Sequence, residues 1–339
     1  LALLELVMFE PAQQQLIGAR HWLVTGAAGF IGSHLVEHLL RFGARVTGID
    51  NFSTGRGSNL TAVQASVGAA WSNFRFIEGD LRDLRICRLG LREVDVVLHQ
   101  AALGSVPRSV ANPLASLSAN VDGFAALLQI AREQNVRRIV YASSSSVYGD
   151  NPAEFKSEQL PIAPRSPYAV SKAAKEQLAA ALAPLYGMTL VGLRYFNVFG
   201  ARQDPNGAYA AVIPRWEATM RRGEVCEIYG DGSTSRDFCF VDNVVQANLR
   251  AGIVELPSPS ATVLNVAVGM EMSLNELQAV MSQELVSTGA VSKVSEPRFR
   301  PFREGDVKRS RADISLATKI LGYNPTVTAR EGLRRLLRG

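Results

Sequence analysis

The residues best equipped for chemistry are Tyr168 and Lys172, in Ser166-Pro167-Tyr168-Ala169-Val170-Ser171-Lys172. Pro167 suits the first turn of a helix, and residues four apart on a helix share a face. A phenol near pKa 10 is a poor base at neutral pH. An ammonium beside it favours the phenolate, so the pair can take a proton from an alcohol. A serine hydroxyl facing the pair could hold the same oxygen and stabilise its developing charge. The run Ser143-Ser144-Ser145-Ser146 offers such a hydroxyl.

These groups need a scaffold, and a glycine turn near the start of the chain indicates which one. Gly26, Gly29 and Gly32 stand three apart in Gly26-Ala27-Ala28-Gly29-Phe30-Ile31-Gly32, between an apolar run and a helical pattern. Gly29 would leave no Cβ between backbone and a phosphate, and Gly32 would let the helix press on its strand. The helix start then offers free N–H groups to a pyrophosphate. This is a variant of the dinucleotide fingerprint with one extra residue in the turn. Asp50, at the end of an expected strand over 45–50, can accept both ribose hydroxyls and repel a 2′-phosphate, which favours NAD over NADP. Arg56 nearby reads as a solvated loop residue. The positive nicotinamide ring would add to Lys172 in lowering the Tyr168 pKa.

The pattern continues with strands expected over 74–79, 95–99 and 136–143 and helices over 33–42 and 113–135. Alternation at this spacing implies an α/β fold, a Rossmann-type doubly wound parallel sheet with ligands beyond the carboxyl ends of its strands. Asn51, Ser53, Thr54 and Gly55 form a polar loop for the adenosine side. Asp80 and Leu81 could bracket the adenine, and Gln100, Ala101 and Ala102 would let the cofactor pass closely. Past residue 197 the chain is richer in loops. Residues 19–197 are therefore expected to form the NAD-binding domain. Residues 198–339 are expected to be mostly a smaller α/β substrate-binding region, with the chain crossing back. Residues 1–18 read as a loosely docked extension.

The chain has 339 residues, 47% hydrophobic and 20% charged, a globular mix. The net charge of +5 suits an anionic small ligand, and no aromatic-plus-basic stripe suggests nucleic acid. Cys87, Cys226 and Cys239 lack metal-like spacing and are odd in number, so neither a metal site nor a disulfide framework is expected, and a reducing compartment is. No apolar run was expected to reach bilayer-spanning length, and the first six residues make a poor signal peptide.

From Trp22 to Gly332 the sequence resembles the extended short-chain dehydrogenase/reductase family of nucleotide-sugar enzymes, and within it the bacterial UDP-N-acetylglucosamine 4-epimerases of surface-polysaccharide biosynthesis. The resemblance is carried by the glycine turn, by residues 50–55, by His99-Gln100-Ala101-Ala102-Leu103-Gly104-Ser105-Val106-Pro107-Arg108-Ser109 and by Tyr168–Lys172. It extends through Leu193-Arg194-Tyr195-Phe196-Asn197-Val198-Phe199-Gly200, residues 202–209 and residues 230–238.

It implies that Tyr168 is the base, that Lys172 binds the nicotinamide ribose and that Ser144, with Ser145 beside it, polarises the reacting hydroxyl. Phe30, Ile31, Tyr195 and Val198 would line NAD. Gly104, Ser105 and Gln203 would touch the substrate, and Asn197 and Arg236 would hold the UDP phosphates. Tyr209, Ala210, Ala211, Val212, Glu227 and Tyr229 would line the uridine, with Arg303 and Asp306 closing over the nucleotide. Ser310, small where glucose-restricted relatives carry tyrosine, would leave room for an N-acetyl group.

The implied reaction is inversion at C4. Tyr168 takes the 4-hydroxyl proton while C4 gives hydride to tightly bound NAD; the 4-keto sugar turns, and the hydride returns. The implied state is a cytoplasmic homodimer, joined through helices around 113–134 and 168–185. A 4,6-dehydratase would need acids where Ser145 and Ser146 stand. UDP-glucuronate and UDP-glucose 4-epimerases stay open as alternatives, as does a non-catalytic NAD-binding protein.

Overall fold

A computed structural model describes residues 9–205, 211–302 and 308–338. Seven strands form one all-parallel sheet: β1 (His21–Thr25), β2 (Arg45–Asp50), β3 (Phe74–Glu78), β4 (Val96–His99), β5 (Arg138–Ser144), β6 (Thr189–Tyr195) and β7 (Ser260–Val266). Their spatial order is 7-6-5-4-1-2-3. The order reverses at β1, so a crevice opens between the carboxyl ends of β1 and β4, where ligands bind in such sheets.

Both faces of the sheet are buried, and strand periodicity divides the apolar side chains between them. Trp22 and Val24 of β1 face α1 (Phe30–Arg41) and, from far along the chain, Val241–Ile253. Leu23 faces the other side, with Phe124, Leu127 and Ile130 of Gly123–Glu133 and Ala179 of Pro167–Tyr186. We label these last three helices α2 (Gly123–Glu133), α3 (Pro167–Tyr186) and α4 (Val241–Ile253). A separate core of Trp216, Met220, Ile228, Phe238, Phe240, Leu277, Met281 and Leu285 supports the later, loop-rich region.

Four features differ from the sequence expectations. The N-terminal segment docks firmly from residue 9 onward. Pro11–Gly18 is a helix whose Ile17 is fully buried with Phe9, and the Ile17 carbonyl accepts from Trp22 Nε1 at 3.0 Å.

The expected helix over 113–135 is Pro113–Leu117, a π-type turn at Ser118–Asp122, then α2. The widened turn contains Asn120, whose amide binds both the N–H and the carbonyl of Leu103 and also Ser171 Oγ. The segment Pro113–Glu133 does reach spanning length and hydropathy, contrary to expectation. Its apolar residues Phe124, Leu127, Leu128 and Ile130 pack beneath the sheet.

Strands β6 and β7 were missed because polar or small residues interrupt them. Gly192 of β6 makes room for the Tyr141 hydroxyl, which lies 2.6 Å from where a Cβ would sit. Asn265 of β7 is buried, donating to the carbonyls of Lys156 and Asp313 and accepting from Tyr148. With α4, β7 returns the chain to the sheet.

Candidate active site

α3 begins where Ser166 Oγ accepts the Ala169 N–H at 3.1 Å, with Pro167 in the first turn. This cap sets Tyr168 and Lys172 one turn apart, facing the end of β5. Lys172 is 2% exposed, and its Nζ donates to the Ala142 carbonyl at 3.0 Å while lying 5.5 Å from the Tyr168 ring centre. Burial pushes the Lys172 ammonium down to about 8, against the pull of Glu176.

The Tyr168 phenol is raised by burial, and a hydrogen bond with Ser144 opposes the rise. The Lys172 ammonium is turned toward the Ala142 carbonyl. Ser144, extended at the end of β5, accepts from Ser146 Oγ at 2.9 Å and from the Ser146 N–H at 3.2 Å. Ser145 opens the short turn that follows.

Beside these three residues lies a cleft of about 760 Å³ along the carboxyl edge of the sheet. It gathers nearly every residue assigned to a dinucleotide: Gly26, Gly29, Phe30, Ile31, Gly32, Asp50, Asn51, Ser53, Thr54, Gly55, Asp80, Leu81, Gln100, Ala101, Ala102, Tyr168, Lys172 and Tyr195. Val198 is the exception, packing between two hydrophobic cores.

The glycines earn their places sterically. Gly26 has φ +70°, and a Cβ there would lie 2.9 Å from the Ala101 nitrogen; a Cβ on Gly32 would lie 2.0 Å from the Gly26 carbonyl oxygen. α1 starts at Gly29 with no side chain capping it, which leaves its first N–H groups to a phosphate. The Asp50 carboxylate accepts the N–H groups of Ala28 (2.9 Å) and Phe52 (2.8 Å), which fixes it while leaving lone pairs for ribose hydroxyls. Burial holds Asp50 above its usual range. The Asp80 carboxylate is engaged by Arg82, which brings it down to about 2, and by Asn51 at 2.9 Å. Arg56, expected to be solvated, pairs with Asp204 at 2.5 Å, and both line the cleft. An uncapped helix start, a Cβ-free backbone and a fixed carboxylate at the end of β2 fit NAD.

A second, smaller cavity of about 160 Å³ is lined by Asn197, Val212, Arg215, Trp216, Glu227, Tyr229, Thr234, Arg236, Phe238 and Leu274. Asn197 has φ +33°, and its amide donates to the Asp237 carbonyl at 3.1 Å, which joins the turn after β6 to the strand carrying Arg236. Asp237 is fully buried and accepts from Val268, Gly269 and Ala312 N–H groups; burial raises it to about 6. Glu227 is held by Arg300 and Tyr229.

Gly104, Ser105, Gln203 and Ala211 line the large cleft, not the small one. Ser144, Ser145 and Ser310 line neither, although Ser310 pairs in register with Arg236. Tyr209, Ala210, Arg303 and Asp306 lie outside the described residues.

Sequence reading missed Arg215, Trp216, Thr234, Phe238 and Leu274, and it missed Asn248 of α4, which bonds Gln100 (2.9 Å) and Tyr195 beneath the large cleft. For Arg215 and Trp216 a signal existed in the Ile213, Trp216, Met220 spacing of an amphipathic helix. Asn248 gave none.

The model of the NAD dependent epimerase/dehydratase family matches residues 22–267. A UDP-glucose 4-epimerase of Mycolicibacterium smegmatis is 40% identical over 316 residues, 92% of this chain and 96% of that protein. The solved UDP-N-acetylglucosamine 4-epimerase of Methanobrevibacter ruminantium, in complex with UDP-N-acetylmuramic acid, is 36% identical with a TM-score of 0.85, covering 94% of this chain and 97% of that one. The UDP-glucose 4-epimerase of Thermus thermophilus, solved with NAD, is 34% identical with a TM-score of 0.79 over 94% and 97% of the two chains. A cleft that fits a dinucleotide and a family match across the whole sheet lead to one conclusion: the chain belongs to the NAD dependent epimerase/dehydratase family, and its cofactor is NAD.

Proposed function

We propose that this UDP-sugar 4-epimerase acts on UDP-N-acetylhexosamines, interconverting UDP-N-acetylglucosamine and UDP-N-acetylgalactosamine. The observation that carries the epimerase reading is the meeting of Ser144, Tyr168 and Lys172 beside the dinucleotide cleft, with a cationic second cavity close by at Asn197 and Arg236. The acetamido preference is supported by the small Ser310 and by the likeness to the Methanobrevibacter enzyme.

In this reading Gly26, Gly29, Gly32 and the start of α1 hold the pyrophosphate of NAD, Asp50 its adenosine ribose and Lys172 its nicotinamide ribose. The bound cofactor supplies a reversible hydride acceptor and a positive charge. Tyr168 removes the proton of the sugar 4-hydroxyl, and Ser144 holds that oxygen as its charge grows. Arg236 and Asn197 grip the UDP phosphates, so most of the binding lies away from the ring that must turn. Once the ring presents its opposite face to the cofactor, Tyr168 returns the proton to the same 4-oxygen. Val110, Leu114, Val170 and Leu185 are exposed apolar residues on the two short helices after β4 and on α3, which pack together, and they support a homodimer through this face. The cysteines are buried and unpaired, which suits the reducing cytoplasm.

The test is turnover of UDP-N-acetylglucosamine, UDP-N-acetylgalactosamine, UDP-glucose and UDP-glucuronate, assayed side by side with no NAD added. Preference for the acetamido pair is expected. Turnover of the uronate alone would reassign the substrate to UDP-glucuronate.

A further inference from the structure

Glu176 lies where three elements that carry the site converge. It is on α3, one turn after Lys172 and two after Tyr168. Its Oε1 accepts from Ser143 Oγ at 2.5 Å, and Ser143 directly precedes Ser144 at the end of β5. The same carboxylate takes Arg194 in a fork, Nε at 2.9 Å and Nη2 at 2.7 Å. Arg194 is on β6 immediately before Tyr195, which lines the large cleft. Glu176 and Arg194 are each 5% exposed, so solvent screens little of this pair.

The surroundings are otherwise short of negative charge. Around Lys172, α3 presents Tyr168, Lys175 and Glu176; β5 presents Tyr141 and Ser143; β6 presents Arg194; and β4 presents His99. Lys175 is fully buried over the Phe124 ring (4.9 Å), with no hydrogen-bond partner among the described residues. Glu158 approaches Arg194 from the loop before α3 but is tied to the Asn265 N–H at 2.7 Å. Glu176 is the carboxylate that opposes the loss of the Lys172 charge.

We propose that Glu176 is the positioning residue of this site: one buried carboxylate locks the ends of β5 and β6 to the Lys172 turn of α3. Its charge, one turn from Lys172, also favours the ammonium. The inference rests on the reading of Tyr168 as base and Lys172 as ribose anchor. A buried pair held by a fork and a third hydrogen bond fixes geometry more strictly than apolar contact does. The three elements it joins arrive from separate parts of the chain, and each delivers a residue to the same cleft edge.

The test is Glu176→Gln, which keeps the shape and most of the hydrogen bonds and removes the charge. NMR titration of ¹³C-labelled lysine side chains in the full chain, with the Lys172 signal assigned by its loss in Lys172→Met, should give a midpoint near 8 for the parent. The Glu176→Gln midpoint should fall by about one pH unit, a tenfold change in proton affinity. The alkaline limb of kcat should move down with it. At pH 7.5 kcat should drop about threefold, the loss of protonated Lys172 that a one-unit fall causes there, with KM for the UDP sugar unchanged. Should Glu176→Gln fail to fold, the Glu176→Gln/Arg194→Met chain removes both charges and must show a smaller downward move, because the lost Arg194 cation offsets part of the lost carboxylate. An unmoved Lys172 midpoint in either folded variant overturns the proposal, whatever kcat does. If instead Tyr168→Phe retained turnover, the base assignment would fail, while the Lys172 titration would still decide the role of Glu176.

Discussion

The two cavities are built on opposite principles. The dinucleotide cleft is made by backbone: strand ends, an uncapped helix start, and glycines whose missing Cβ atoms leave space. The smaller cavity is made by side chains: Arg215 and Trp216 from the helix Val212–Arg221, Tyr229 and Arg236 from short strands, and Phe238 just past the buried Asp237. Adding atoms should therefore damage the first, and deleting them the second. The Ser144–Tyr168–Lys172 group, at the edge of the large cleft, should be damaged chemically, with neither binding site lost.

The largest effect belongs to that group. Tyr168→Phe should lower kcat about 10³-fold, the scale of a lost general base, with NAD content and UDP-sugar affinity kept; rapid-quench kinetics and cofactor release on denaturation check both. Next is Gly32→Ala, whose Cβ would press on the Gly26 carbonyl oxygen at 2.0 Å. It should cost about 1–3 kcal/mol of stability by overpacking and empty the protein of NAD, read by thermal melting and by absorbance of the released cofactor. Arg236→Met should raise KM about 10-fold with kcat and NAD content unchanged, the loss expected for one charged hydrogen bond. Simultaneous loss of NAD would erase the distinction between the cavities. The smallest is Ser310→Tyr, which should shift the preference between UDP-N-acetylglucosamine and UDP-glucose about tenfold toward glucose in competition assays.

The same contrast explains what could be read before folding. Gly26 to Gly32 and Tyr168 to Lys172 are local patterns whose spacing already states their geometry, and Asp50 follows from the strand that ends in it. Strand β2 begins and ends where the sequence placed it. The unread parts depend on contacts that sequence spacing does not encode. Gln100 meets Asn248 across 148 residues, and Asn197 meets Asp237 across 40. Glu176 meets Arg194 only because β6 delivers it from 18 residues further along the chain. The break at Ser118–Asp122 was hidden because Asn120 leaves the helical pattern to bind Leu103, a partner 17 residues back. The firm docking of Pro11–Gly18 turned on Trp22 and the α4 surface, which its own composition does not reveal.

The central claim is that one ring carbon loses and regains its own hydrogen within a site that Tyr168 serves. The direct measurement uses UDP-N-acetylglucosamine carrying deuterium at C4, incubated with the purified chain and no added NAD. The account predicts UDP-N-acetylgalactosamine with the deuterium still at C4. Loss of that deuterium to solvent, or full turnover by a chain stripped of dinucleotide, would contradict it.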